Sequence, residues 1–234
     1  MQETGLVIVL AFFNKKNYYV KLMYKYILFD FDGVLVDSNA IRHKGFATLF
    51  RLFPEKEVEE LFHFSQKNGG MSRFEKIRYF FTQIRNENIT EEKVFEYAKQ
   101  YSVIVKEQVI LSNAIPGSVD FLETYKDSYT FALISASDQE ELRDICHVRN
   151  IDSYFEEILG SPTLKAENIS MLFAKKGWKK EESVYIGDSP NDLKAAMANN
   201  LDFIGLNSVE VHWNKESIIT IDSFSQLPQK LLKK

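Results

Sequence analysis

Two aspartates one residue apart, Asp30 and Asp32, end the apolar run Ile27-Leu28-Phe29, and Gly33 follows at once. A strand that needed only burial would not finish on two carboxylates. Side chains alternate along a strand, so both acids start on one side of the backbone, and the glycine then frees the chain to turn. Three later apolar runs are followed by equally chemical residues: Ser135-Ala136-Ser137, then Gly160-Ser161-Pro162 with Lys165, then Gly187-Asp188-Ser189-Pro190-Asn191-Asp192. Four carboxylates brought together repel one another unless a hard cation sits among them. Oxygen ligands without His or Cys point to Mg²⁺. A hydroxyl and a lysine beside that cation suit a phosphoryl group, whose oxygens each then meet a positive or hydrogen-bonding partner.

The elements that must position these residues alternate. Residues 26–31 read as a strand buried on both faces. Strands are also predicted at Tyr129–Ile134, Glu157–Leu159, Ser183–Ile186, Phe203–Leu206 and Ile218–Ile221. Helices are predicted from Asp138, over 166–176, over Pro190–Asn199 and at the C-terminal end. Such alternation argues a parallel sheet covered by helices, in which ligands bind at the carboxyl ends of strands. The stretch 38–112 reads as wholly helical. Ser38 is placed to cap a helix over Asn39–Phe53 that Pro54 stops, a second helix covers 55–66, Ser72 with Glu75 forms a capping box, and Thr90 opens a helix ending near Ser112. The fold class is therefore α/β, a Rossmann-like parallel sheet with a helical insert after its first strand. The expected organisation is a core of residues 23–37 and 113–234 and a cap of residues 38–112.

Of 234 residues, 45% are hydrophobic and the net charge is −4, enough to bury a core and without the basic surplus of a nucleic-acid binder. The Lys-rich pairs 175–176 and 179–180 read as solvated helix faces. A lone cysteine, Cys146, reads as a small buried apolar residue in a reduced, cytoplasmic protein. Residues 6–13, LVIVLAFF, are too few to span a bilayer and lack the flanks of a signal peptide. Residues 1–22 read as an appendage, from a misassigned start before Met23 or as an extra packed strand.

DFDGVLVDS, the serine of LISAS, Lys165 and GDSPND, in this order over about residues 24–230, resemble the haloacid dehalogenase superfamily, in its phosphatase branch with a small helical cap. The resemblance implies a Mg²⁺-dependent phosphomonoester hydrolase for a small phosphorylated metabolite. Asp30 would be the nucleophile that forms an aspartyl-phosphate, and Asp32 the general acid and base. Ser135, with Ala136, and Lys165 would hold phosphate. The metal would be held by Asp30, the Asp32 carbonyl and Asp188, with Asp192 behind or beside them. Alternatively, Ser135 or Ser137 is a plain helix cap, Lys165 a surface lysine outside the usual K-P-x-P-D context, and Asp192 a first-turn acid.

The loop Gly70-Met71-Ser72-Arg73 looks like the substrate loop of β-phosphoglucomutase-type members. Arg73, Ser72, Arg42 and His43 are thus candidate substrate residues on the cap. A solvated first-turn Arg73 and a merely capping Ser72 are the plainer reading. Two departures count against a mutase: Gly69 stands where mutases have lysine, and Arg42 where they have histidine. GDSPND is moreover the hydrolase form of the last motif. A mutase and a catalytically inactive binding protein remain the alternatives, the latter against intact Asp30, Asp32 and Asp188. The expected partner is a small phosphate ester, with neither nucleic acid nor membrane, for a monomer or weak homodimer.

Overall fold

A computed structural model describes residues 24–208, 211, 213 and 218–232; the reading of residues 1–22 falls outside them. Six parallel strands, β1 (Tyr26–Phe29), β2 (Thr130–Asp138), β3 (Phe155–Ser161), β4 (Ser183–Gly187), β5 (Asp202–Leu206) and β6 (Ile219–Ile221), form one sheet in the order β3-β2-β1-β4-β5-β6. The order reverses beside β1, so the crevice at its carboxyl end is where such sheets take ligands. Phe29 of β1 stands level with Leu133 and Ile186, which brings the ends of β1, β2 and β4 to one height.

Both faces of β1 are covered, as its continuous apolar run requires. Ile27 and Phe29 join one core with Leu133, Ile186 and the aromatic residues of the insert, while Leu28 joins a second with Ile134, Tyr185 and Ile169. Helices α1 (Asn39–Leu49), α2 (Glu55–Lys67), α3 (Arg73–Tyr79) and α4 (Glu91–Leu111) lie between β1 and β2, and α3 runs on into a π-helical turn over Phe80–Ile84. The remaining helices are α5 (Ser118–Tyr125), α6 (Gln139–Val148), α7 (Lys165–Lys176), α8 (Pro190–Ala198) and α9 (Leu227–Lys230). None among the described residues is long and apolar enough to cross a membrane.

Three expectations need correction. Helix α1 stops at Leu49, not Phe53. Pro54 disfavours helix in the residue before it, and Phe50 and Phe53 turn into an aromatic cluster, with Phe50 4.2 Å from the Phe80 ring. Ser38 makes no capping bond. Strands β2 and β3 are longer than their apolar runs, and a register irregularity between Ile134 and Asp138 carries β2 through the Ser135–Ser137 stretch. Helix α5, eight residues behind the left-handed Gly117, lies in a stretch for which the sequence predicts no element. The capping box of Ser72 and Glu75 and the burial of Cys146 are as expected. Burial pushes the Cys146 thiol up to about 12.

Candidate active site

Asp30 lies one residue past β1, Asp188 one past β4, and Asp192 in the first turn of α8. All three are buried, and one carboxylate oxygen of each lies within 4.8 Å of the others. The close approach needs Gly33, which has φ +78; a Cβ there would sit 2.0 Å from Asp188 Oδ2 and 2.4 Å from Asn39 Nδ2. Asn39, at the start of α1, donates to Asp188 Oδ2 at 2.8 Å. Burial, then the charge of Asp192, raises Asp188 to about 7. The same causes, with Asp188 and Asp32 adding to them, push Asp30 well above the carboxylate range although Lys165 opposes them.

Lys165 is buried and bridges the cluster, its Nζ 2.9 Å from Asp30 Oδ1 and 2.5 Å from Asp192 Oδ1. It is therefore no surface lysine. Asp192 also accepts from Tyr185 OH at 3.0 Å and, through Oδ2, from the Ser189 N–H at 3.0 Å and Oγ at 2.7 Å. It caps its helix and anchors Lys165 at once. One ammonium does not neutralise three buried carboxylates, and Asp30 Oδ1 makes no aligned hydrogen bond. Buried oxygen donors with surplus negative charge fit Mg²⁺.

The Asp32 side chain belongs to a different set. Ser38 Oγ at 2.5 Å and Arg42 Nε at 2.8 Å donate to Oδ1, and Ser137 Oγ donates to Oδ2 at 2.7 Å. Although burial works the other way, Arg42, Ser38 and Ser137 hold this carboxyl below its usual range. Ser38 is thus diverted from capping α1. Neither Ser135 nor Ser137 caps α6; Asp138 does, accepting from the N–H groups of Glu140 and Glu141 at 3.1 Å. Ser135 is buried, and its Oγ accepts from the Ser137 N–H at 3.1 Å. Ser135, Ala136 and Ser137 line one chamber of about 50 Å³ with Asp30, Asp32 and Lys165.

The insert supplies the opposite wall, through Arg42, His43, Arg73, Lys76 and Tyr101. His43 Nδ1 lies 2.9 Å from Ser65 Oγ, to which Lys76 Nζ donates at 3.0 Å. Arg73 is not a solvated first-turn residue. Its fork donates twice to Glu141, at 2.7 Å from each terminal nitrogen, and it stacks 4.7 Å above the Tyr101 ring. Arg42 Nη1 donates to the same carboxylate at 2.5 Å. Ser72 lies outside the chamber, in an adjoining groove of about 300 Å³ that shares Gly70, Met71, Ala136 and Lys165 with it.

Glu141, Asn39 and Lys76 are not among the candidates that the sequence offers, and Ser137 is offered there only as a helix cap. Only Ser137 had a signal, since it repeats two residues after Ser135 the spacing of Asp30 and Asp32. Glu141 reads there as an ordinary first-turn acid of α6. Although burial raises it, the hydrogen bond from Arg73 and the charges of Arg42 and Arg73 bring Glu141 down to about 2. Its folded value lies below the unfolded one, so its stabilisation is complete above about pH 5 and disappears as pH falls through 2. Glu141→Gln is expected to lower stability at pH 7 by roughly 3 kcal/mol, with the gap to wild type closing towards pH 2. Denaturant melts across that range check it.

A sequence profile of haloacid dehalogenase-like hydrolases matches residues 27–206. The chain belongs to that family. This haloacid dehalogenase-like hydrolase is 27% identical over 180 residues to phosphoglycolate phosphatase 1 of Pseudomonas aeruginosa, a match covering 74% of this chain and 65%, just under two thirds, of that enzyme. It is 26% identical over 193 residues to a phosphoglycolate phosphatase of Haemophilus influenzae, covering 78% and 85%. The crystal structure of a predicted phosphoglycolate phosphatase from Haemophilus somnus superposes with a TM-score of 0.70 at 20% identity, over 89% of this chain and 98% of that one. The parallel sheet flanked by helices is the α/β, Rossmann-like fold of the family.

Proposed function

We propose that this hydrolase is a Mg²⁺-dependent phosphomonoesterase acting on a small phosphorylated metabolite in the cytoplasm, through an aspartyl-phosphate on Asp30. The observation that carries the proposal is the chamber itself: Asp30 between the buried ammonium of Lys165 and the Ser135–Ser137 stretch, with Asp32 facing the same space. The names of the curated relatives support a phosphate ester as substrate.

Ser135 and Lys165 hold the phosphoryl oxygens and turn phosphorus towards Asp30. An oxygen of Asp30 attacks phosphorus, the bond to the leaving oxygen breaks, and that oxygen takes a proton from Asp32. Asp32 then takes a proton from water, whose oxygen attacks phosphorus and releases Asp30 and inorganic phosphate. Asp32, held anionic by Arg42, Ser38 and Ser137 in the free enzyme, takes the proton that it passes to the leaving oxygen from the monoanionic phosphate ester as that ester binds, and is back in its base form when water attacks. Asp30, Asp188 and the Asp32 carbonyl would hold Mg²⁺, with Asp192 behind; when bound, it would draw charge from the phosphoryl oxygens and screen the carboxylates. Residues 38–112 act as a cap that excludes bulk water.

Phosphate release from phosphoglycolate, sugar phosphates and nucleotides, with Mg²⁺ or with EDTA, tests the proposal. Release with Mg²⁺ that stops in EDTA is the expected result. No release from any ester overturns it in favour of a mutase or an inactive protein.

A further inference from the structure

We propose that Glu141 is a specificity-determining residue that sets the chamber against substrates with a second anionic group, and so selects phosphate esters of sugars or polyols. The inference rests on the phosphatase reading above and narrows its substrate.

Glu141 stands in the first turn of α6, four residues beyond the Ser135–Ser137 stretch, and is buried behind the chamber wall. Its carboxylate takes both terminal nitrogens of Arg73 at 2.7 Å and Arg42 Nη1 at 2.5 Å. Arg73 Nη1 also donates to Ser102 Oγ at 2.5 Å, and Arg42 Nε donates to Asp32 at 2.8 Å. A guanidinium fork is the group that a substrate carboxylate or distal phosphate would use. Here the protein's own carboxylate fills it. A second substrate anion at this wall must either displace Glu141, leaving a buried carboxylate unpaired, or lie beside it and be repelled. Lys76 keeps a cation on the wall but is held by Ser65, through Oγ at 3.0 Å and the carbonyl at 3.3 Å.

A hydroxyl meets neither penalty. Arg42 lines the chamber, and its Nη2 is buried and makes no hydrogen bond, so both N–H groups of that nitrogen lack an acceptor. A neutral hydroxyl oxygen of the leaving group satisfies one of them without contesting Glu141.

The test compares glycerol 3-phosphate with phosphoglycolate, which are similar in size and differ in the second charge. Wild type is expected to favour glycerol 3-phosphate at least 10-fold in kcat/KM. Glu141→Gln should shrink that ratio at least 10-fold, chiefly by lowering KM for phosphoglycolate, and Glu141→Asp should keep the wild-type ratio. A wild-type preference for phosphoglycolate overturns the inference. So does a Glu141→Gln variant that slows both esters equally, as a merely structural role would. If Glu141→Gln does not fold, the wild-type ratio alone decides. Hydrolysis of p-nitrophenyl phosphate reports the chemistry separately. If no ester is hydrolysed, the phosphatase reading has failed, and calorimetric titration of phosphoglycolate then decides the charge argument without turnover: binding at least 5-fold tighter in Glu141→Gln supports it, and unchanged binding overturns it.

Discussion

Asp30→Asn is expected to reduce phosphate release by about 10⁴-fold or more, the scale on which losing a covalent nucleophile is felt, while leaving a folded protein. The amide has the shape of the carboxylate and cannot form the phosphoryl ester at useful rates. Structurally the exchange is mild for a buried acid. Asp30 already sits well above its ordinary carboxylate range because burial, Asp192, Asp188 and Asp32 all disfavour its charge. Lys165 keeps its 2.5 Å contact with Asp192. The metal-free melting temperature should therefore stay at or above that of wild type. Activity at saturating Mg²⁺ and melting in EDTA check the two halves together. Retained turnover would place the nucleophile elsewhere, and a collapsed melting temperature would make Asp30 a structural residue.

The parts of this design that are short in sequence were legible there. Asp30, Ser135, Lys165 and Asp188 each lie within a few residues of an apolar run that becomes a strand, so strand prediction alone carried them to one edge of the sheet. Ser72 and Glu75 announced a helix start because both halves of the capping box lie within four residues. What stayed hidden depends on partners far along the chain. Glu141 meets Arg42 and Arg73 across 99 and 68 positions, and nothing in its neighbourhood separates it from an exposed first-turn acid. Ser38 had the right type and place for a cap, yet Asp32, six residues earlier, attracts its hydroxyl more strongly because a buried carboxylate needs donors. The early end of α1 follows from tertiary packing of Phe50 and Phe53, which outweighs a helical pattern of apolar residues.

Lys165 bridges two buried acids of the candidate site, and under the function proposed above Lys165→Met is expected to disturb both stability and turnover. With Nζ beside Asp30 and Asp192 and almost no exposure, its ammonium lies within direct reach of both acids. Burial alone would lower its pKa, yet Asp192 and Asp30 keep it protonated. Removing one member of a buried ion pair leaves uncompensated charge at a cost of about 3–5 kcal/mol. For a chain of this length that is a fall in the metal-free melting temperature of roughly 6–20 °C. Mg²⁺ bound among the same carboxylates supplies the missing positive charge, so Mg²⁺ should raise the melting temperature of the variant more than that of wild type, in proportion to RT ln(1 + [Mg²⁺]/Kd). Turnover should still fall by about 10²-fold or more, because the donor proposed for the phosphoryl oxygens is gone. A solvated lysine would give neither effect, since surface substitutions stay within about 0.5 kcal/mol. Melting curves with EDTA and with Mg²⁺, set beside the rate on one ester, thus separate a lysine that balances the acid cluster from one that merely lies near it.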